Sequence, residues 1–228
     1  MKHPFLTLLV VLCAVLSVAA TAQPLVQANN LRRDSDANLT RFHYEFVNER
    51  FTIPRIEVDF DGTGTGEYKF TRKGSDEIAD KLEISASLLG QIQSLLTELN
   101  FLDSTEEYQH KKDFSHLGTM TISFTKGGRS RTVKFNYTDN QALTRLAEIF
   151  RGIATQEMRV FELGNVRETD PISTPAQMRM LESELKGNHL ADPAKLIPLL
   201  KDIKMDESVP LIARNHADRL IQMIQKGK

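Results

Sequence analysis

With 228 residues, a formal net charge of −1 and 26% charged side chains, the chain has the make-up of one globular domain or two small ones. Its near-neutral charge argues against a general nucleic-acid binder, which carries a clear basic excess, so no nucleic-acid partner is expected. Beyond the N-terminal segment, no apolar run approaches the length needed to cross a bilayer.

Lys2 and His3 precede the apolar stretch FLTLLVVLCAVLSVAA, which ends in Ala20-Thr21-Ala22. A basic start, a short apolar core and an Ala-x-Ala end describe a secretory signal peptide over residues 1–22, cut before Gln23; an uncleaved membrane anchor is the alternative. The only cysteine, Cys13, falls inside this leader. The mature chain therefore forms no disulfide and offers no thiolate to a metal or a substrate. An exported chain without thiols suits a bacterial periplasm or the extracellular space. Residues 23–40, QPLVQANNLRRDSDANLT, have no apolar period and predict a flexible tether. Asn38-Leu39-Thr40 and Asn136-Tyr137-Thr138 match a glycosylation sequon, which carries no meaning in a bacterial protein.

From Phe42 the apolar period becomes two. Phe42, Tyr44 and Phe46 alternate with polar neighbours, as do Ile56, Val58 and Phe60 after Pro54, and then Tyr68 and Phe70. Between the last two strands lies DGTGTG, with Asp61-Gly62 read as the turn. Leu88, Ile92, Leu95, Leu96 and Leu99 recur at helical spacing, with Ser85 or Ser87 as N-cap. A second hairpin sets Met120, Ile122 and Phe124 against Val133, Phe135 and Tyr137 across Gly127-Gly128. Thr138 or Asp139 then opens a helix whose stripe is Leu143, Leu146, Phe150, Ile153 and Ala154. The expectation for residues 41–162 is an α+β domain: an antiparallel sheet of two hairpins or meanders covered by two helices.

ELGNVRETDPIST reads as a polar linker, and residues 173–228 as a small helical subdomain. Its first helix begins at Thr174-Pro175, its second at Asp192-Pro193 and its third near Pro210. Pro198 should kink the middle helix or confine it to short turns. DPAKLIPLLKDIKMDESVPLIARNHADRLIQMI, about residues 191–225, resembles one HEAT-type helical pair. A single unit cannot form the concave surface of a stacked array, so it is expected to cap the α+β body. Over residues 42–155, GTGEYKF and GTMTISFTKGGRSRTVKF resemble an uncharacterised domain found in secreted bacterial proteins. That resemblance implies the fold and the export, and no activity.

Several patterns bear on chemistry. The run VDFDGTGTGEYKF starts with the oxygen rhythm of a calcium loop, but Gly64 interrupts the rhythm and Glu67 comes too soon. A phosphate loop needs a helix where EYKFTR is a strand. A hairpin bend is the better reading. YQHKKDFSHLG places His110, Asp113 and His116 in one loop, the candidate ligands for zinc or another transition metal. His216 is expected to be a satisfied core or boundary histidine, and Arg214–Asp218 an exposed pair of little weight. Lys126, Arg129, Arg131 and Lys134 give the second hairpin a basic rim. Such a rim either attracts an anionic surface or, as the favoured reading, keeps an edge strand soluble.

The expectation is an exported, non-enzymatic module that binds a protein or another component of the cell envelope, with no cofactor assigned. The alternative is a metal-binding protein or metal-dependent enzyme centred on the 108–116 loop. An enzyme assembled from scattered residues is the third possibility.

Overall fold

The computed structural model describes residues 39–227. The expected leader, with Cys13, and the tether up to residue 38 lie outside the described residues. Six strands form one antiparallel sheet: β1 (Arg41–Val47), β2 (Arg55–Asp61), β3 (Thr65–Thr71), β4 (Glu77–Glu83), β5 (Thr119–Lys126) and β6 (Arg129–Phe135). Their order is β4-β3-β2-β1-β5-β6, so the first four strands meander and the second hairpin adds beside β1.

β1 holds the centre because its apolar parity meets apolar partners on both sides. Phe42 lies opposite Phe60 and Phe124, and Tyr44 opposite Val58 and Ile122. Helix α1 (Ala86–Glu98) and helix α2 (Gln141–Thr169) supply much of the apolar surface packed with that face. The Ser85 hydroxyl accepts from the Leu88 N–H and caps α1, one of the two expected caps. Asn140, not Thr138 or Asp139, caps α2 by accepting from the Leu143 N–H at 3.0 Å. Thr138 instead steadies the Asn140 N–H.

α2 is the chief departure from expectation. It runs for 29 residues, and most of the segment read as a polar linker is its last turns. Ala142 to Ala154 pack in the sheet core, whereas Leu163 is buried in a second core. That second core is made with α3 (Thr174–Lys186), α4 (Ile197–Met205) and α5 (Leu211–Gln225). The linker reading failed because a helix passing between cores shows little apolar stripe where it is solvated. Pro198 sits in the first turn of α4, after a short 3₁₀ turn over Pro193–Leu196, where a missing N–H costs nothing. The middle helix is thus divided and does not kink at Pro198.

The backbone is glycine-dependent in the DGTGTG turn, although not at Gly62. The Gly64 N–H bonds to the Asp61 carbonyl at 3.0 Å, and only Gly64 of the three takes a positive φ, +86°. The Asp61 carboxylate accepts from Thr63 N and Oγ1 at 2.8 and 2.6 Å, so the aspartate tightens its own turn. At Gly66 a Cβ would lie 1.8 Å from the Asp59 carbonyl oxygen. We therefore expect Gly64→Ala and Gly66→Ala each to cost about 1–3 kcal/mol in denaturant unfolding, from strain and overpacking. Gly62→Ala, which needs only a small retreat of Thr40, should cost less than either.

Candidate functional site

The side chains of β1 that point into the core do not all end against a helix. At the C-terminal end of β1, a cleft of about 1040 Å³ lies between the sheet and the first half of α2. Its floor includes Tyr44, Phe46, Ile56, Met120 and Phe135 from four strands. Thr144, Ala147, Arg151, Thr155 and Met158 of α2 form one wall. Arg50 to Ile53, the connection between β1 and β2, line the cleft as well, together with residues 136–138 beyond β6. Phe51, Leu117 and Tyr137 line it while remaining 48, 44 and 42% exposed, so the cleft opens to solvent through apolar side chains.

Nine of the nineteen described residues that line it carry a polar side-chain group. Tyr44 is 1% exposed, its ring stacks on Phe150 at 5.2 Å, and its hydroxyl has no hydrogen-bond partner among the described residues. Burial pushes that phenol well above its ordinary range, with the Arg151 charge pulling the other way, so it stays a protonated donor. The arginines found in ion pairs are Arg55, Arg72, Arg129, Arg145, Arg159 and Arg167. Arg50 and Arg151 are in none of the ion pairs of the described residues.

The loop that carries the sequence candidates is built differently. His110 Nδ1 accepts from the Lys112 N–H at 2.9 Å, while its Nε2 lies 3.3 Å from Asp139. Asp113 accepts from Ser115 N and Asn136 Nδ2 at 2.9 and 2.7 Å, and these bonds hold its carboxyl below the usual range. The His116 carbonyl accepts from Asn48. The three residues are thus engaged in closing the loop onto β6 and β1. Among the described residues, no group of three His, Cys, Asp or Glu is placed to hold a metal ion.

Of the basic rim, two members are anchored. Arg129 pairs with Asp103 at 2.5 Å. Arg131 donates to the Phe101 and Glu106 carbonyls at 2.8 and 2.6 Å and lies over the Phe101 and Tyr108 rings. Arg131 therefore clamps the 101–108 segment beside β6. Arg214 and Asp218 do not pair as expected: Asp218 takes Lys204 at 2.6 Å, and the Arg214 Nε is buried without a partner among the described residues.

The face of the sheet opposite the helices is polar and closed on itself. Arg55 bridges Glu45 and Glu57 at 2.9 and 2.6 Å. His43 Nδ1 meets Asp59 at 2.7 Å, and Ser123, opposite His43 in the ladder, shares its hydroxyl proton with Thr132 at 2.8 Å. No helix among the described residues is long and apolar enough to cross a membrane.

Tyr44, Arg50 and Arg151 escaped the sequence reading. Tyr44 has the parity of an ordinary core residue, and nothing in the local pattern brings residue 151 to it.

Two measurements follow from these environments. His216 is buried, with Nε2 2.9 Å from Glu182. Burial lowers its pKa below 6.5, aided by Arg219 and Arg179, and outweighs Glu182. Its contribution is intact above that pH and lost as pH falls through the window just beneath it. His43 is raised above 6.5, chiefly by its bond to Asp59, so its contribution is full below that pH and lost as pH rises through the raised value. Denaturant unfolding should show His216→Gln flattening the acid side and His43→Asn flattening the other. Added zinc or calcium should leave the melting temperature unchanged, because no group of three His, Cys, Asp or Glu among the described residues is placed to hold a metal ion. No protein-family model matches the chain and no curated protein is similar to it.

Proposed function

We propose that this chain is an exported binding protein of the cell envelope, non-enzymatic, which holds a mainly apolar small molecule in the cleft between β1 and α2. The observation that carries the reading is the cleft itself. At about 1040 Å³ it slightly exceeds the roughly 300–1,000 Å³ range of small-molecule sites, room enough for a ligand of that class. An apolar ligand would cover Phe51, Leu117 and Tyr137, and each Å² so removed from water contributes about 25 cal/mol. The leader expected over residues 1–22 supplies the route out of the cytoplasm. The partner in this reading is an envelope component of low molecular mass. The α4–α5 pair, read as HEAT-like, packs with the second half of α2 and contributes no lining residue among those described.

The reading is tested with N-phenyl-1-naphthylamine, an uncharged probe whose fluorescence rises in apolar surroundings. Saturable binding at one site is expected. Thr155→Trp, which places an indole in the cleft from the half-buried wall formed by α2, should weaken it by at least about tenfold. Absence of saturable binding, or full binding by a folded Thr155→Trp protein, overturns the reading.

A further inference from the structure

We propose that one end of the helical bundle, where α2 turns into α3 and α4 into α5, docks a polypeptide that presents an apolar patch bordered by lysine or arginine. Eight large apolar side chains are exposed among the described residues, and three of them, Phe51, Leu117 and Tyr137, belong to the mouth of the cleft. The four most exposed lie elsewhere: Ile172, Met205, Ile212 and Leu211, at 82, 75, 65 and 61%. All four occupy turns at the same end of the bundle. Ile172 sits in the 3₁₀ turn Pro171–Ser173 between α2 and α3, Met205 ends α4, and Leu211 and Ile212 open α5. Arg167, in the last turn of α2, holds the Asp206 carboxylate at 2.6 Å and so ties the two turns together.

The core beneath does not need these side chains. Leu200, Ile203, Val209, Ala213, Ala217 and Leu220 fill the α4–α5 interior at 0–1% exposure. Polar residues at 172, 205, 211 and 212 would leave that interior intact. A lone exposed apolar side chain is ordinary, but four gathered at one end mark a contact surface. The surface is braced before any partner arrives, because Asp206 also accepts from Ser208 N and Oγ at 3.0 and 2.6 Å.

Charge selects the partner. Glu168, Asp170 and Glu207 are exposed at this end and take part in none of the ion pairs of the described residues. Against them stands Arg214 in the first turn of α5, also in none of those ion pairs. Lys204 is taken by Asp218 at 2.6 Å, and Lys201 and Asp202, a turn back on α4, offset each other. An acidic border repels an anionic lipid surface, and a second copy would bring the same carboxylates against these. A polypeptide with an apolar centre and a basic rim satisfies both parts of the surface.

The test titrates the purified protein into the fluorescein-labelled peptide LKKLLKLLKKLLKL, whose helix has a leucine face and a lysine face, and into LEELLELLEELLEL, reading anisotropy. The lysine peptide should bind at one saturable site, at least about tenfold more tightly than the glutamate peptide. Met205→Ser and Ile212→Ser should each weaken it at least about fivefold with the melting temperature unchanged. Glu168→Gln combined with Glu207→Gln should remove most of the discrimination between the peptides. Thr155→Trp, in the cleft, should leave binding unchanged, which separates the two surfaces. Equal binding of the two peptides, binding of neither, binding that survives Met205→Ser and Ile212→Ser, or its loss in Thr155→Trp overturns the proposal. Adsorption to phosphatidylglycerol vesicles that Ile212→Ser abolishes overturns it in favour of lipid. A sedimenting dimer that Ile212→Ser dissociates overturns it in favour of a second copy.

Discussion

The fold depends on the seating of α2 across β1. Tyr44 and Phe150 stack with their rings only 5° from parallel, both 1% exposed, and the neighbouring Phe42 and Phe60 rings stack at 4.7 Å. From that contact α2 continues for 29 residues, about 43 Å at 1.5 Å per residue, and delivers Leu163 to the second core. Ion pairs decorate the same helix: Arg72 with Glu162, Arg159 with Glu184 and Arg167 with Asp206. Partly exposed pairs contribute about 0–1 kcal/mol each, whereas each fully buried large apolar side chain contributes about 1.5–3 kcal/mol. Apolar packing along α2 is what joins the two cores, and the pairs only trim it. Glycine assists at one close approach: a Cβ on Gly152 would stand 3.0 Å from the Ala191 N, near the point where the Asp192 N–H bonds Gln156.

Much of this was legible in the chain wherever one face of an element is wet and the other dry. The alternation in β1, β2, β5 and β6 gave their parity, Gly127-Gly128 takes the positive φ values a tight hairpin requires, and Ser85 caps as expected. Legibility failed where that contrast disappears. β4, EIADKLE, buries only Leu82 and so has no alternation to read. The last turns of α2 are polar on most sides because they bridge two cores. The meaning of Gly62, Gly64 and Gly66 was half legible: the bend was evident, but which glycine bears it follows from the register of β2 and β3 and from Ile84, whose N–H bonds the Gly64 carbonyl.

The cleft was not legible at all, for a different reason. Its polar members come from β1, the connection after it, residues 136–138 beyond β6, and α2, and each taken locally has an ordinary explanation. An aromatic at a buried parity is core, and an arginine on a helix is surface. Only the three-dimensional arrangement leaves the Tyr44 hydroxyl buried without a partner and sets Tyr44 and Arg151 in the lining of one cleft. The opposite happened in the 108–116 loop, where His110, Asp113 and His116 look like ligands in one dimension. In three dimensions the Asp113 carboxylate serves backbone and amide groups, which is a common employment for a carboxylate in a connecting segment.

The two margins of the sheet bear on how this protein meets its own copies. A margin is where a second chain can add a strand by main-chain pairing, and long apolar margins seed fibres. One margin, β4, presents mostly charged side chains; the other, β6, has the 101–108 segment clamped beside it by Arg131. A six-stranded sheet so bordered is finite by construction. Such borders protect the chain against polymerising through its sheet edges at the moment of folding.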